Sequence, residues 1–77
     1  GWINDGYAYY FLKKDGTIHT GWLKENGQKY YLGSEGDMKL GWYNIDNNWY
    51  YFDDSGAMMT NTIIDGWKID GNGIARK

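Results

Sequence analysis

The sequence predicts an all-β solenoid, a stack of β-hairpins built from 20-residue repeats. Three observations predict it. Gly1-Trp2, Gly21-Trp22 and Gly41-Trp42 recur every 20 residues. The columns between them keep the same step: Tyr10/Tyr30/Tyr50, Phe11/Tyr31/Tyr51, Leu12/Leu32/Phe52, Gly16/Gly36/Gly56 and Ile18/Met38/Met58. Within each copy, short runs of β-forming residues alternate with turn formers. A fixed short period marks units that cannot bury an apolar face alone and so stack on their neighbours.

The elements follow in order. Repeat 1 (1–20) turns at Asn4-Asp5-Gly6. Repeat 2 (21–40) turns at Glu25-Asn26-Gly27, and Asn-Gly is the strongest short hairpin signal. In repeat 3 (41–60), Gly41-Trp42-Tyr43-Asn44-Ile45 is a strand ending at the polar turn Asp46-Asn47-Asn48. Trp49-Tyr50-Tyr51-Phe52 is its return strand, ending at Asp53-Asp54-Ser55-Gly56. β-Formers bounded by turn formers make this a hairpin. Each hairpin leads through a glycine corner (Gly16, Gly36, Gly56) where positive φ is expected. Residues 61–77 keep the phase with about three residues missing at the turn. If Gly73 aligns with Gly56, Trp67 falls in the column of Tyr50 and Lys68 in that of Tyr51. This tail is a degenerate capping repeat, and the whole of 1–77 is a single repeat module. Alternation puts the columns of Tyr9/Lys29/Trp49 and Phe11/Tyr31/Tyr51 on one face, and those of Tyr10/Tyr30/Tyr50 and Leu12/Leu32/Phe52 on the other.

Composition limits the function. A chain of 77 residues buries only about 60% of its unfolded surface. It has no cysteine, hence neither a disulfide nor a thiolate metal site. Aromatic stacking must take their place: five Trp, eight Tyr and two Phe are present, each large ring burying about 150–250 Å². The net charge of −2 lacks the basic stripe that neutralises phosphates, so nucleic acid is not expected as a partner. No apolar stretch approaches the ~20 residues of a membrane-spanning helix, and membrane insertion is not expected. Beginning at a repeat's first residue without Met, the chain reads as a piece of a longer protein.

Catalytic and metal chemistry find no constellation. His19 is the single histidine and shares its column with Lys39 and Met59, a solvent-like position. Asp5, Asp15, Asp46, Asp53 and Asp54 lie in turns, where turn chemistry accounts for them. Asp70-Gly71-Asn72-Gly73 lacks the oxygen series and closing carboxylate of a calcium loop and is read as a turn. The expectation is a chain that is not an enzyme and needs no cofactor.

The stretch Gly41-Trp42…Trp49-Tyr50-Tyr51-Phe52-Asp53…Gly56-Ala57-Met58-Met59-Thr60 closely resembles the choline-binding (cell-wall-binding) repeat of Gram-positive autolysins, phage lysins and surface proteins. The resemblance covers 1–60 and loosely the tail. Related repeats occur in glucan-binding domains and clostridial toxin tails. The resemblance implies a left-handed β-superhelix. It also implies a non-catalytic module, secreted and cell-wall associated, that captures choline on teichoic acid or another cell-wall polymer and anchors a larger protein such as a cell-wall hydrolase. It places a choline site between neighbouring hairpins: the Gly-Trp tryptophan and the first aromatic of the Trp-Tyr-Tyr run from one hairpin, and a tyrosine column from the next. A quaternary ammonium has no hydrogen-bond donor, so a cage of π faces is its natural receptor.

Carried onto this chain, the first cage is Trp2, Tyr9 and Tyr31 with Met38 near. The second is Trp22, Lys29 and Tyr51 with Met58; it is weaker, because a lysine ammonium occupies or repels the cation's place. The third pairs Trp42 with Trp49, and Trp67 serves as its third wall only if the tail's deletion shifts the register. Tyr10, Tyr30 and Tyr50 are read as hairpin packing. A carbohydrate-binding module for glucan or a toxin-type glycan is the alternative, since rings also stack on sugars and Lys29 suits a sugar site better. A purely structural stalk, with a homodimer formed through an exposed solenoid end, is a third reading.

Overall fold

A computed structural model describes all 77 residues, and it contains strands, turns and no helix. The chain forms two compact units, Gly1–Lys39 and Leu40–Lys77. In the first unit, β1 (Trp2–Asn4) pairs with β2 (Tyr9–Phe11), and β3 (Gly21–Glu25) pairs with β4 (Gln28–Leu32). In the second, β5 (Gly41–Ile45) pairs with β6 (Asn48–Phe52), while β7 (Thr62–Ile64), β8 (Trp67–Ile69) and β9 (Ala75–Arg76) form a three-stranded sheet in that order. All pairings are antiparallel.

The turns have a common chemistry. Asn26-Gly27, Asp46-Asn47 and Asp65-Gly66 each place both central residues at positive φ. That is the backbone of a two-residue type I′ hairpin, whose twist matches the flanking strands. Asn48 and Glu25 therefore belong to strands, one residue inside the expected turns. The first hairpin differs more. Asn4 ends β1, and the loop runs on to Ala8, held by the Asp5 carboxylate accepting the N–H groups of Tyr7 and Ala8.

Register confirms the two faces of each hairpin. Trp22 stands opposite Tyr31 and Lys24 opposite Lys29, while Leu23 opposes Tyr30 and Gly21 opposes Leu32. After each hairpin the chain closes the same corner four times. Gly16, Gly36, Gly56 and Gly73 donate N–H to the carbonyls of Lys13, Gly33, Asp53 and Asp70, and the four glycines have φ between 84° and 87°. The tail thus repeats the corner despite its shortened hairpin. Its β9, adding a third strand, has no counterpart in the sequence reading.

The core lies where each return strand enters its corner. Leu32, Phe52 and Ile69 are 0%, 1% and 2% exposed. Burying such a side chain stabilises by about 1.5–3 kcal/mol. The apolar link then folds back on the strand, Leu32 bridging Met38 and Phe52 bridging Met58. Side chains from these links pack on the next corner. A Cβ built on Gly36 would collide with Ile18 Cγ2, and one on Gly73 would stand 2.5 Å from Met58 Sδ. Only glycine fits there, on both conformational and steric grounds.

Candidate ligand-binding site

In the second unit three indoles converge. Trp42 lies on β5 opposite Tyr51, whose ring meets it edge-on at 5.2 Å. Trp49 lies on β6 opposite Asn44, two residues along and on the same face. Trp67 comes from β8 in the following hairpin. Together they line an open cleft of about 440 Å³, within the common range of about 300–1,000 Å³ for small-molecule sites. Trp49 is half exposed (49%), so its face is available to a ligand.

Two charges contact the indoles that line this cleft. Trp42 Nε1–H donates to Asp65 Oδ2 at 2.9 Å. Lys77 Nζ stands 4.9 Å from the centroid of Trp67, a cation–π distance. Neither residue belongs to the sequence-based cages. The signal for Asp65 was the three-residue deletion: strands of three residues, not five, bring the turn next to Trp67 and carry its carboxylate to Trp42.

The first unit holds a related arrangement. Trp2 packs edge-on against Phe11 of its own hairpin at 5.2 Å and against Tyr30 of the next at 5.0 Å. Tyr9 follows on the same face as Trp2, 49% exposed, and its carbonyl accepts the Met38 N–H at 2.9 Å. Met38 thus lies beside β2.

The third wall is a correction. Tyr31 was assigned to Trp2, yet its ring lies edge-on to Trp22 of its own hairpin at 5.1 Å. The residue that reaches Trp2 is Tyr30. The reason is geometric: within the first unit the two hairpins meet by opposite faces, so a ring sharing Trp22's face points away from the hairpin before it. Tyr51, cross-strand partner of Trp42, follows the same rule. So does Trp67, which stands in the column of Tyr30 and reaches Trp42 and Trp49 without any shift of register. Met58 packs on Gly73 of its own unit. Trp22 and Lys29 lie in the first unit, 39% exposed and exposed respectively, with Lys29 opposite Lys24.

His19 is not solvent-like. It is half-buried, its Nε2 donates to the Trp22 carbonyl at 2.8 Å, and its ring lies edge-on to Phe11. Asp70 also has defined partners: its Oδ1 accepts the N–H groups of Asn72 and Ile74, and Oδ2 pairs with Arg76. Those bonds hold its carboxyl below the usual carboxylate range, the Ile74 N–H contributing most.

Tandem hairpins presenting aromatic clefts define a binding module. Profiles of known families agree: that of the choline-binding repeat matches residues 39–72, and that of the cell wall binding repeat matches 1–18 and 20–38. The choline binding domain of Spr1274 from Streptococcus pneumoniae is 40% identical, with a TM-score of 0.94 over 100% of this chain and 94% of that one. CbpJ from Streptococcus pneumoniae TIGR4 is 42% identical over 99% of this chain and 26% of its own, with a TM-score of 0.94. The multimodular pneumococcal cell wall endolysin from phage Cp-1, solved complexed with choline, is 40% identical over 86% of this chain and 18% of its own, with a TM-score of 0.74. No curated protein matches in sequence. The chain belongs to the choline-binding repeat family, as a non-catalytic module associated with the cell wall. It spans about a quarter of the length of CbpJ and of choline binding protein F.

Proposed function

We propose that the chain captures the choline groups of cell-wall teichoic acid in its aromatic clefts and anchors a larger secreted protein, bacterial or phage-encoded, to the wall. The observation carrying this reading is the convergence of Trp42, Trp49 and Trp67 on one cleft. Indole faces carry negative charge density and attract a trimethylammonium group that can donate no hydrogen bond. Three rings at about 0.5–2 kcal/mol each bring the affinity to roughly 1 mM. Such weak sites suit a polymer, since a second engagement on the same chain of ligands proceeds at high effective concentration.

The Trp2–Tyr30 pair, with Tyr9 beside it, is the second site in this reading. A second copy of the chain, meeting it through exposed rings at an end, is a further partner. Sedimentation in dilute solution checks that part, and a monomer mass removes it.

Choline titration followed by tryptophan fluorescence tests the reading. A saturable change is expected, and Trp67→Ala reduces it. A flat response from the parent chain would sink it.

A further inference from the structure

We infer that Asp65 is the charge-selecting residue of the Trp42–Trp49–Trp67 cleft, biasing it toward cations over neutral molecules of the same shape. The inference rests on the choline reading and deepens it. Three aromatic walls attract a cation only through their ring quadrupoles and still admit a neutral ligand of suitable size and apolar surface. What they lack is a full negative charge, and the structure supplies one at the cleft's edge. Asp65 Oδ2 accepts the Trp42 indole N–H at 2.9 Å.

This bond acts in two ways. A carboxylate so close to the indole lies within a few ångströms of any cation resting on that ring, where Coulomb attraction outlasts solvent screening. Accepting the N–H bond also pushes electron density into the indole, making its face a better cation acceptor. The protein's own Lys77 ammonium stands 4.9 Å from the centroid of Trp67, a cation–π contact on one of the three indoles.

The placement is specific to the shortened hairpin. β7 and β8 have three residues each, and the turn Asp65-Gly66 directly precedes Trp67. The second hairpin of the first unit has five-residue strands and turns through Asn26-Gly27, which bears no charge. The Trp2–Tyr30 site therefore lacks this carboxylate, and the two units differ in their demand for positive charge.

The test compares choline with 3,3-dimethylbutan-1-ol, a neutral alcohol of the same shape with carbon in place of the quaternary nitrogen. Each is titrated into the whole chain while the indole N–H resonances are followed by two-dimensional NMR, with Trp42→Phe assigning the Trp42 signal. Asp65→Asn keeps an acceptor for Trp42 and suits the positive φ of 51°. It is expected to weaken choline binding at this cleft about threefold to tenfold, leaving the neutral alcohol unchanged within about twofold. Raising salt should weaken choline in the parent more than in Asp65→Asn. Equal loss of both ligands would make Asp65 a structural support for Trp42 and overturn the inference. So would an unchanged choline affinity, or a parent affinity insensitive to salt. If the parent's indole signals ignore choline altogether, the choline reading falls as well. If they respond and Asp65→Asn does not alter selectivity, only the present inference falls.

Discussion

Tyr30 meets Trp2 edge-on across two successive hairpins, the centroids 5.0 Å apart and the ring planes at 69°. Within each unit, one column of the second hairpin addresses the first. The column is Tyr30 and Trp67, not Tyr31 and Lys68. Four mutational or pH experiments follow from this geometry and from the corners that support it.

Tyr30→Leu should weaken choline binding at the Trp2 site by about threefold to tenfold, the worth of one ring in a cation cage. Tyr31→Leu should act mainly on stability, because its ring packs against Trp22 of the same hairpin. Titrations read at the Trp2 indole resonance separate the two. A larger binding loss from Tyr31→Leu would reverse the assignment.

Gly73→Ala should destabilise the second unit by about 2–4 kcal/mol. Its φ of 84° is unfavourable to any L side chain, and the new methyl would meet Met58 Sδ at 2.5 Å. Adding Met58→Ala should cost less than the sum of the single changes, since the collision disappears while the backbone strain stays. Urea unfolding of the two single variants and the double variant measures the coupling.

Lys77→Ala should strengthen choline binding at the Trp42 cleft by about twofold. An ammonium on Trp67 repels a second cation on the same ring whichever face it occupies. Fluorescence titration of Lys77→Ala against Lys77→Arg, which retains the charge, provides the measurement. The two should differ, with arginine matching the parent.

Acid should loosen the corners. Asp15 is held below its usual range first by the Thr17 hydroxyl, Asp53 first by the Ser55 hydroxyl and Asp70 first by the Ile74 N–H. A carboxyl with a lowered folded-state pKa adds stability that is fully present above its unfolded value near 3.9 and is lost as pH falls through the folded value. Tm should therefore be nearly level from pH 7 to pH 5 and fall below about pH 4. Asp53→Asn should flatten that fall, and a calorimetric series across pH checks both.

Much of the fold was legible because the hairpins are specified locally. Asn26-Gly27 announces its own turn, and the alternation through Lys29, Tyr30 and Tyr31 sorts faces without knowledge of any neighbour. The site was legible only as far as a single hairpin reaches. Trp42 and Trp49 share a face by alternation alone, and the structure places them together. Which face meets which neighbour is a tertiary fact. Yet the register of Trp22 with Tyr31 already implied that Tyr31 could not look back toward Trp2. Asp65 escaped notice for a different reason. Its position depends on how far a three-residue deletion draws a turn inward, and no periodic column contains it. His19 was misplaced because a column shared with Lys39 and Met59 says nothing of the single carbonyl, that of Trp22, which captures its ring nitrogen.

The corner carboxylates have one more consequence. Asp15, Asp53 and Asp70 close their loops by accepting hydrogen bonds from Thr17, Ser55 and Ile74, in a chain with no sulfur bridge to form. Nothing in that closure requires an oxidant or yields to a thiol reductant. The corners close by the same hydrogen bonds in a reducing or an oxidising compartment, with no thiol chemistry in their formation.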